Sequence, residues 1–380
     1  MKSEKTMRSR KPESFFRPVR LAILLLFLSA TTGLAFADEQ EGVTIITGTP
    51  GPDIITVTIT DVIDAQADIN TEVSEKVEAS ATGVDSLEGN DTITVNAPLT
   101  SGAAANALLL LTPEKKTEAI ATGVGITAGD GEDSVDNNLS ITVIGSSLSA
   151  YGSSLQFEQP SPTGNDTGQN DKKEIDASVS STTETTGVIT GDGVDTIEND
   201  GLMTVNGLAT SGGAAGDLTA TIRESSTMKT TSTSEVSATG IQAGGDSDTI
   251  INDGGSLTTA TATSGALSVS LVAPGETTPS SDKKANIKTE SNATAKATVT
   301  GIHGDENETE SNMGDSSPFG LNGLRVTYEK SMITVSGDDT IINNALQSGN
   351  ATATSGAGAG SISNKVNGSV QTEANSEAEA

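Results

Sequence analysis

The sequence predicts an all-β protein, a parallel β-solenoid (β-helix) of about six imperfect repeats with lateral loops. Two observations predict this fold. A short, glycine-rich acidic kernel recurs along the chain at nearly constant distances from two other short motifs, and alternating segments of small polar and apolar residues flank each kernel. A unit built from such small side chains cannot bury a face alone, so neighbouring units must stack.

The kernel reads Gly-x-Asp-Thr-Ile in its clearest copy, residues 193–197, and describes an acidic turn that enters a strand. An Asn recurs four residues after the aspartate in four units, at Asn137, Asn199, Asn252 and Asn343. The kernel aspartates are Asp53, Asp91, Asp133, Asp195, Asp248 and Asp339.

Two further landmarks measure the repeat. A Thr-Gly pair precedes the kernel aspartate by eight residues in three units, and by ten residues where Gly123 precedes Asp133. A Thr-Ser-Gly triplet has its serine 16 residues after the aspartate in three units, but Ser101 follows Asp91 by only ten. The unit at Asp91 is therefore predicted to lack six positions.

These landmarks divide the chain into units near 38–83, 84–123, 124–187, 188–240, 241–301 and 302–380. The last unit contains an insertion at about 304–333, which is predicted to form a side excursion with an apolar cluster around Phe319 and Tyr328. Polar, often proline-bearing segments at 112–116, 159–166 and 274–284 are predicted to be exposed loops.

Segments beside the loops, such as 257–263 and 293–300, alternate with the period of two that is typical of strands. One repeat could form one wide coil or two narrower coils. Two coils are favoured, because an alternating stretch lies on each side of the loop. The competing interpretation is disorder, which a Gly-, Ser- and Thr-rich acidic composition also favours; the constant offsets favour the solenoid.

Composition excludes several functions. The chain has 380 residues, a formal net charge of −30 and no cysteine. Disulfides and thiolate metal sites are thus excluded. Nucleic acid and anionic membrane surfaces are not expected partners, because binding them requires a basic surface. Divalent cations are the natural counterions.

Residues 1–37 have the three-part pattern of a secretory signal peptide. A basic segment precedes the apolar run 21–28, and Ala35 and Ala37 supply the small residues of a cleavage site after Ala37. The apolar run is too short to span a bilayer. The mature chain would carry a net charge of −35, and no membrane span is expected after cleavage. The sequence therefore predicts a secreted or cell-surface protein.

The kernel resembles half of the repeats-in-toxin (RTX) nonapeptide, whose aspartates and turn carbonyls hold Ca²⁺ inside a β-roll. Residues 191–198 fit this pattern, and only its first position differs, where Thr190 replaces Gly. Residues 129–135 fit almost as well. Leu87 and Asp246 replace glycines in two other copies. The resemblance implies Ca²⁺ as a cofactor, with the following candidate ligands: Asp130, Asp133, Asp192, Asp195, Asp91, Asp248 and Asp339.

A structural role for the same residues is the alternative. A column of stacked aspartates would require either a cation or backbone N–H groups to compensate its charge. Aspartates after glycine turns commonly accept N–H groups of their own turn, and the recurrent Asn can form a stacked amide ladder. Both roles remain open at the level of sequence.

No catalytic constellation is evident, so the chain is predicted not to be an enzyme. The single histidine, His303, is expected to be a surface turn residue, since a zinc site needs three or four ligands. A β-helix enzyme acting on polysaccharides through paired carboxylates is the less favoured alternative, because the acidic residues recur uniformly instead of gathering once.

An exported, acidic, cysteine-free solenoid resembles the passenger regions of bacterial autotransporters and filamentous adhesins. This resemblance implies a rigid, non-enzymatic structural or adhesin-like surface protein that presents loops to an extracellular ligand or a neighbouring surface. A Ca²⁺-binding, RTX-like secreted repeat protein is the alternative. Because no barrel pattern precedes residue 380, we expect a fragment with further repeats downstream, and an exposed last coil capable of end-to-end self-association.

Overall fold

A computed structural model describes residues 43–58, 61–69, 76–110, 115–152, 156–158, 173–219, 226–272, 285–304, 333–334, 339–363 and 368–380. All strands within these ranges pair in parallel, and they form three sheets. The predicted parallel β-solenoid is thus confirmed. The predicted signal peptide 1–37 and nearly all of the predicted insertion lie outside the described residues. Among the described residues, no helix has the length and apolar character needed to cross a membrane.

Each coil contributes a strand to each sheet, and the two long sheets contain additional short strands. The short sheet contains β2 (Ile54–Val57), β5 (Thr92–Val95), β8 (Ser134–Asn137), β12 (Thr196–Asn199), β15 (Thr249–Asn252) and β19 (Thr340–Asn343). Long sheet 1 contains β3 (Asp61–Ile69), β6 (Leu99–Leu110), β9 (Ile141–Gly152), β10 (Gln156–Glu158), β13 (Met203–Thr219), β16 (Ser256–Val272) and β20 (Gln347–Ser363). Long sheet 2 contains β1 (Val43–Thr47), β4 (Lys76–Asp85), β7 (Lys115–Thr127), β11 (Lys173–Ile189), β14 (Ser226–Gln242), β17 (Ala285–His303), β18 (Ile333–Thr334) and β21 (Gly368–Glu379).

One repeat forms one wide coil. From the kernel turn, the chain runs through the short sheet and along long sheet 1, and then returns along long sheet 2. Kernel aspartates that are 38, 42, 62, 53 and 91 residues apart in sequence are hydrogen-bonded neighbours on adjacent coils. The preference for two coils per repeat is therefore wrong. The alternating stretches on the two sides of a loop are facing strands of a single coil.

Aliphatic side chains fill the core beside the short sheet, where the three sheets meet. Ile93, Ile197 and Ile250 point inward from the short sheet and are at most 1% exposed. Ile141 from long sheet 1 and Ile241 from long sheet 2 belong to the same cluster. Because the register is constant, these residues stack on their counterparts in neighbouring coils, so each column buries apolar surface along the whole array.

Farther from the short sheet, the two long sheets face each other across small side chains. Buried alanines alternate along the strands with outward-facing residues, as the period-two pattern predicts. Buried hydroxyls join the two sheets: Ser211 Oγ lies 2.7 Å from Ser232 Oγ and 2.8 Å from Ser234 Oγ. Small residues therefore let the long sheets approach closely, which explains how a chain with 2% aromatic residues builds an interior.

The Thr-Gly landmark is in register in every strand of long sheet 2 that carries it. In β7, which leads to Asp133, the glycine in register is Gly125 and not Gly123. Thr186 pairs with Val124 and Val188 with Ile126, which places Gly125 opposite Gly187. The distance from Gly125 to the kernel Asp133 is then eight residues, as in the other units. The offset of ten that we predicted from sequence is wrong, because the segment Thr-Gly-Val-Gly-Ile holds two candidate glycines.

The unit at Asp91 lacks no positions. Ser149 pairs with Ser211, and Ala107 pairs with Ser149. Ala107 is thus the equivalent of the Thr-Ser-Gly serine, 16 residues after Asp91. Ser101 lies six residues earlier, pairs with Val143 and donates a hydrogen bond to the carbonyl of Ala81. The predicted deletion is wrong because alanine fills the serine position in this coil.

His303 ends strand β17 instead of lying in a turn. It is half-buried, and it pairs with Gln242 and with Thr334 of β18. The predicted turn position is therefore wrong. Strand β18 lies at the end of the predicted insertion, and it pairs with the part of β17 that β21 does not reach.

Substitution of Gly125 by alanine is expected to lower the free energy of unfolding by about 1–3 kcal/mol, the usual cost of overpacking. A Cβ atom at this position would lie 2.4 Å from the carbonyl oxygen of Gly187 on the next coil. Gly212→Ala is the matched control, because nothing lies within 4 Å of a Cβ atom there. Urea unfolding measures both variants. Equal stability of the two variants would contradict the close stacking of the Thr-Gly column.

Candidate functional site

The kernel aspartates form one buried column at the corner where the glycine-rich turn enters the short sheet. Asp91, Asp133, Asp195 and Asp248 are each no more than 3% exposed. Each lies directly before a short-sheet strand, and that strand pairs in constant register with those of the neighbouring coils. The sequence places them there because the turn glycines allow a tight entry and the following Thr-Ile pair begins the strand.

The column is held by a ladder of hydrogen bonds between coils. The carboxylate Oδ1 atom of each aspartate accepts the backbone N–H of the equivalent aspartate on the preceding coil. The N···O distances are 2.8 Å (Asp53 to Asp91), 2.8 Å (Asp91 to Asp133), 2.8 Å (Asp133 to Asp195), 2.9 Å (Asp195 to Asp248) and 2.9 Å (Asp248 to Asp339). Backbone N–H groups of the neighbouring coil therefore compensate the charge of the stacked carboxylates.

The first described coil shows the local version of the same interaction. Asp53 donates its N–H to Asp91, but its own carboxylate accepts the backbone N–H and the hydroxyl of Thr49 in the same turn. Asp53 thus accepts an N–H group of its own turn, but from a residue four positions earlier and not two positions later as in an Asx-turn. In the later coils the kernel aspartate accepts the N–H of the preceding kernel aspartate instead. We call the whole set of inter-coil contacts the aspartate ladder.

The second carboxylate oxygen of the buried aspartates is the unusual feature. The Oδ2 atoms of Asp91, Asp133, Asp195 and Asp248 are buried and have no hydrogen-bond partner. An ionised carboxylate with one unpaired oxygen in such a place is costly. Burial, followed by the negative charges of neighbouring aspartates, raises the pKa of Asp133 to about 6 and that of Asp248 to about 6. Burial also raises the pKa of Asp195.

Of the remaining candidate calcium ligands, two lie outside the column and the third is its half-buried last member. Asp130 and Asp192 are exposed in the turns, where Asp130 Oδ1 accepts the N–H of Asp192 at 3.2 Å. Asp339 is half-buried on the last kernel. Among the described residues, no three Asp, Glu, His or Cys side chains gather in a group that could hold a metal ion. The calcium assignment stays a prediction.

The two residues that depart from the glycine pattern both have positive φ. Leu87 has φ 69°, close to the 81° of the corresponding Gly129. Asp246 has φ 80°, whereas the corresponding Gly193 has φ 142°. A side chain in the left-handed region costs about 1–2 kcal/mol. The turn conformation is therefore kept at Leu87 and altered at Asp246.

A second ladder runs beside the first, four residues farther along the short strands. Asn137 Nδ2 donates to Asn199 Oδ1 at 2.6 Å, and Asn199 donates to Asn252 at 2.6 Å. Asn252 donates to Asn343 at 2.7 Å. The predicted stacked amide ladder is confirmed. In the first two coils, Val57 and Val95 take the same column, which shows that an apolar side chain also fits there.

The hydroxyl network between the long sheets was missed from sequence. Ser181 Oγ donates to Ser147 Oγ at 2.8 Å, and Ser147 Oγ lies 2.7 Å from Thr183 Oγ1. Ser268 Oγ donates to Thr230 Oγ1 at 2.7 Å. The alternation of the strands could have indicated these positions, since the inward set of each strand contains serine and threonine as well as alanine.

Comparison with protein-family models, with curated proteins and with solved structures gave no match. The proposed function therefore depends on the geometry of this chain alone.

The aspartate ladder predicts that the protein loses stability as the pH rises from about 4 through about 6. The reason is that Asp133 and Asp248 have a folded-state pKa of about 6, above their ordinary value of 3.8. Between these values the folded state binds more protons than the unfolded state, so rising pH favours unfolding. Thermal melts across this range measure the effect.

The double variant Asp133→Asn/Asp248→Asn should lose less stability over the same range, because an amide keeps the acceptor oxygen without titrating. Asp176→Asn/Asp192→Asn removes the same number of charges from exposed positions and is the control. Identical pH slopes in the two double variants would show that general charge repulsion, and not the ladder, causes the dependence.

Proposed function

We propose that this protein is an exported, non-enzymatic structural repeat protein that acts as a rigid surface spacer or adhesin. The burial of the kernel carboxylates is the single observation that carries the proposal. Asp133 and Asp195 are 3% and 1% exposed, and their Oδ1 atoms accept backbone N–H groups of the preceding coil. The most frequently repeated acidic residue is therefore used to stack coils instead of meeting a substrate.

The shape of the array supports this proposal. Strands of up to 19 residues are stacked in register, and both long sheets have the same alternation of inward and outward side chains. Such stacking repeats the same hydrogen bonds and core contacts between every pair of neighbouring coils, which makes the array stiff.

Export is tested by expressing the whole chain in a Gram-negative bacterium and adding protease to intact cells. We expect the protein to be degraded by the protease, and cells that carry it to adhere more strongly to a test surface. Leu24→Arg, which interrupts the apolar run at 21–28, should leave a full-length protein that the protease cannot reach. Protection of the unchanged chain in intact cells would contradict the proposal.

The alternative is a secreted repeat protein that requires Ca²⁺ to fold. The unpaired Oδ2 atoms of Asp91, Asp133, Asp195 and Asp248 favour it, because carboxylate oxygens without partners are ligands suited to a hard cation. If this alternative holds, calcium should raise the melting temperature, a chelator should lower it, and Asp133→Asn/Asp195→Asn should remove the difference. Equal melts with calcium and with chelator would contradict it and favour the structural function.

A further inference from the structure

The two long sheets differ in the charge of their outer faces. The outward residues of β6, β9, β13, β16 and β20 occupy alternate positions over 100–108, 142–150, 204–216, 257–269 and 348–360. All 31 of these residues are Thr, Ser, Asn, Gly, Ala, Leu, Ile or Val. A protein surface normally has about a quarter charged residues, which would place about eight charges there. We call this surface the uncharged face.

The outer face of long sheet 2, by contrast, carries many charged residues. Its outward positions include Glu184, Lys229 and Glu235, and Lys296 forms an ion pair with Glu235 at 3.4 Å. The uncharged face is therefore a property of one sheet in a chain with a net charge of −30. In β3, the strand that pairs with β6, the register places Asp64 opposite Gly102 and Asp68 opposite Asn106.

Exposed apolar side chains gather on the same face. Ile144, Leu208, Leu257, Leu267 and Val269 are 45%, 43%, 41%, 45% and 38% exposed, and all five point outward from β9, β13 or β16. Single exposed apolar residues are ordinary, but a group on one flat sheet face indicates a surface that becomes covered.

The uncharged face is large enough for a stable interface. Its five strands are in register over at least 12 residues, and neighbouring strands lie about 4.8 Å apart, so the face covers roughly 900–1,000 Å². A standard stable interface buries about 800 Å² on each partner. Threonine and glycine occupy 16 of its 31 positions, so its relief is low and another sheet can approach to about 10 Å.

The net charge of the protein indicates which partner covers the uncharged face. Two copies of a molecule with a net charge of −30 repel each other through most of their surfaces. Contact through the uncharged face brings no charge into the interface and keeps the acidic faces on the outside. A second copy presents the same flat face, which matches the isologous contact of a two-fold dimer. We propose that two copies of this chain dimerise by packing their uncharged faces against each other.

Sedimentation velocity on the purified protein tests this proposal, and it does not depend on export. We expect a dimer that persists on dilution and becomes tighter at higher salt, because salt screens the repulsion between the acidic surfaces. Leu208 lies at the centre of the face, so Leu208→Glu should weaken dimerisation by about 100-fold, the effect of losing a central contact. Thr261→Glu, on the adjacent strand, should do the same.

Thr233→Glu is the matched control, because Thr233 points outward from long sheet 2. It adds the same charge and should leave the dimer intact. Circular dichroism spectra of all three variants establish that they are folded. A wild-type protein that is monomeric at about 100 μM would overturn the proposal, and so would a dimer that Leu208→Glu and Thr261→Glu leave unchanged. A monomer that binds a neutral polysaccharide such as cellulose would assign the face to that ligand instead.

Discussion

The hydrogen bond between coils at the kernel aspartate is the interaction on which the rest of this structure depends. The carboxylate of one coil accepts the N–H of the same residue on the coil before it, at 2.8–2.9 Å throughout the array. A shift of one residue would turn inward side chains outward on all three sheets. Each ladder contact therefore specifies register as well as contributing energy. The turn glycines and the Thr-Gly column maintain the close approach that the contact requires.

This design accommodates repeats of very different length. Successive kernel aspartates are between 38 and 91 residues apart in sequence, yet their coils stack identically at the corner. The residues that differ in number lie in the long strands, which have 12 residues in β6 and 17 in β13, or between strands, so they leave the ladder unchanged. A flexible connection costs little more entropy as it lengthens, which allows such variation. Repeats of different length can thus share the same stacked corner.

Much of this fold could be predicted from the sequence because its period is visible in the letters. The kernel, the recurrent Asn and the period-two strands identified the solenoid, the corner and the amide ladder. The positions within one unit that correspond to those of the next unit were harder to predict. Gly123 and Ser101 match the landmark motifs in sequence, but Gly125 and Ala107 occupy their positions in space. Only the backbone pairing distinguishes a motif from its structural equivalent.

The hydrogen-bond donor to each kernel aspartate could also not be predicted from the sequence. An Asx-turn and an inter-coil ladder need the same residue at the same place, and they differ only in which N–H group is closer. The number of coils per repeat was misjudged for a related reason, since two facing strands of one coil and two stacked strands of neighbouring coils have the same alternation. The uncharged face could have been found from sequence once the strands were assigned, by reading only the outward positions.

The most direct test of the central claim is the titration of one backbone amide by NMR. We expect the amide proton of Asp195 to shift as the carboxyl group of Asp248 titrates, because Asp248 Oδ1 accepts that N–H at 2.9 Å. Asp248→Asn should then abolish the shift. An amide proton of Asp195 that titrates unchanged in Asp248→Asn would show that the carboxylate contacts stay within each turn, and would contradict the ladder.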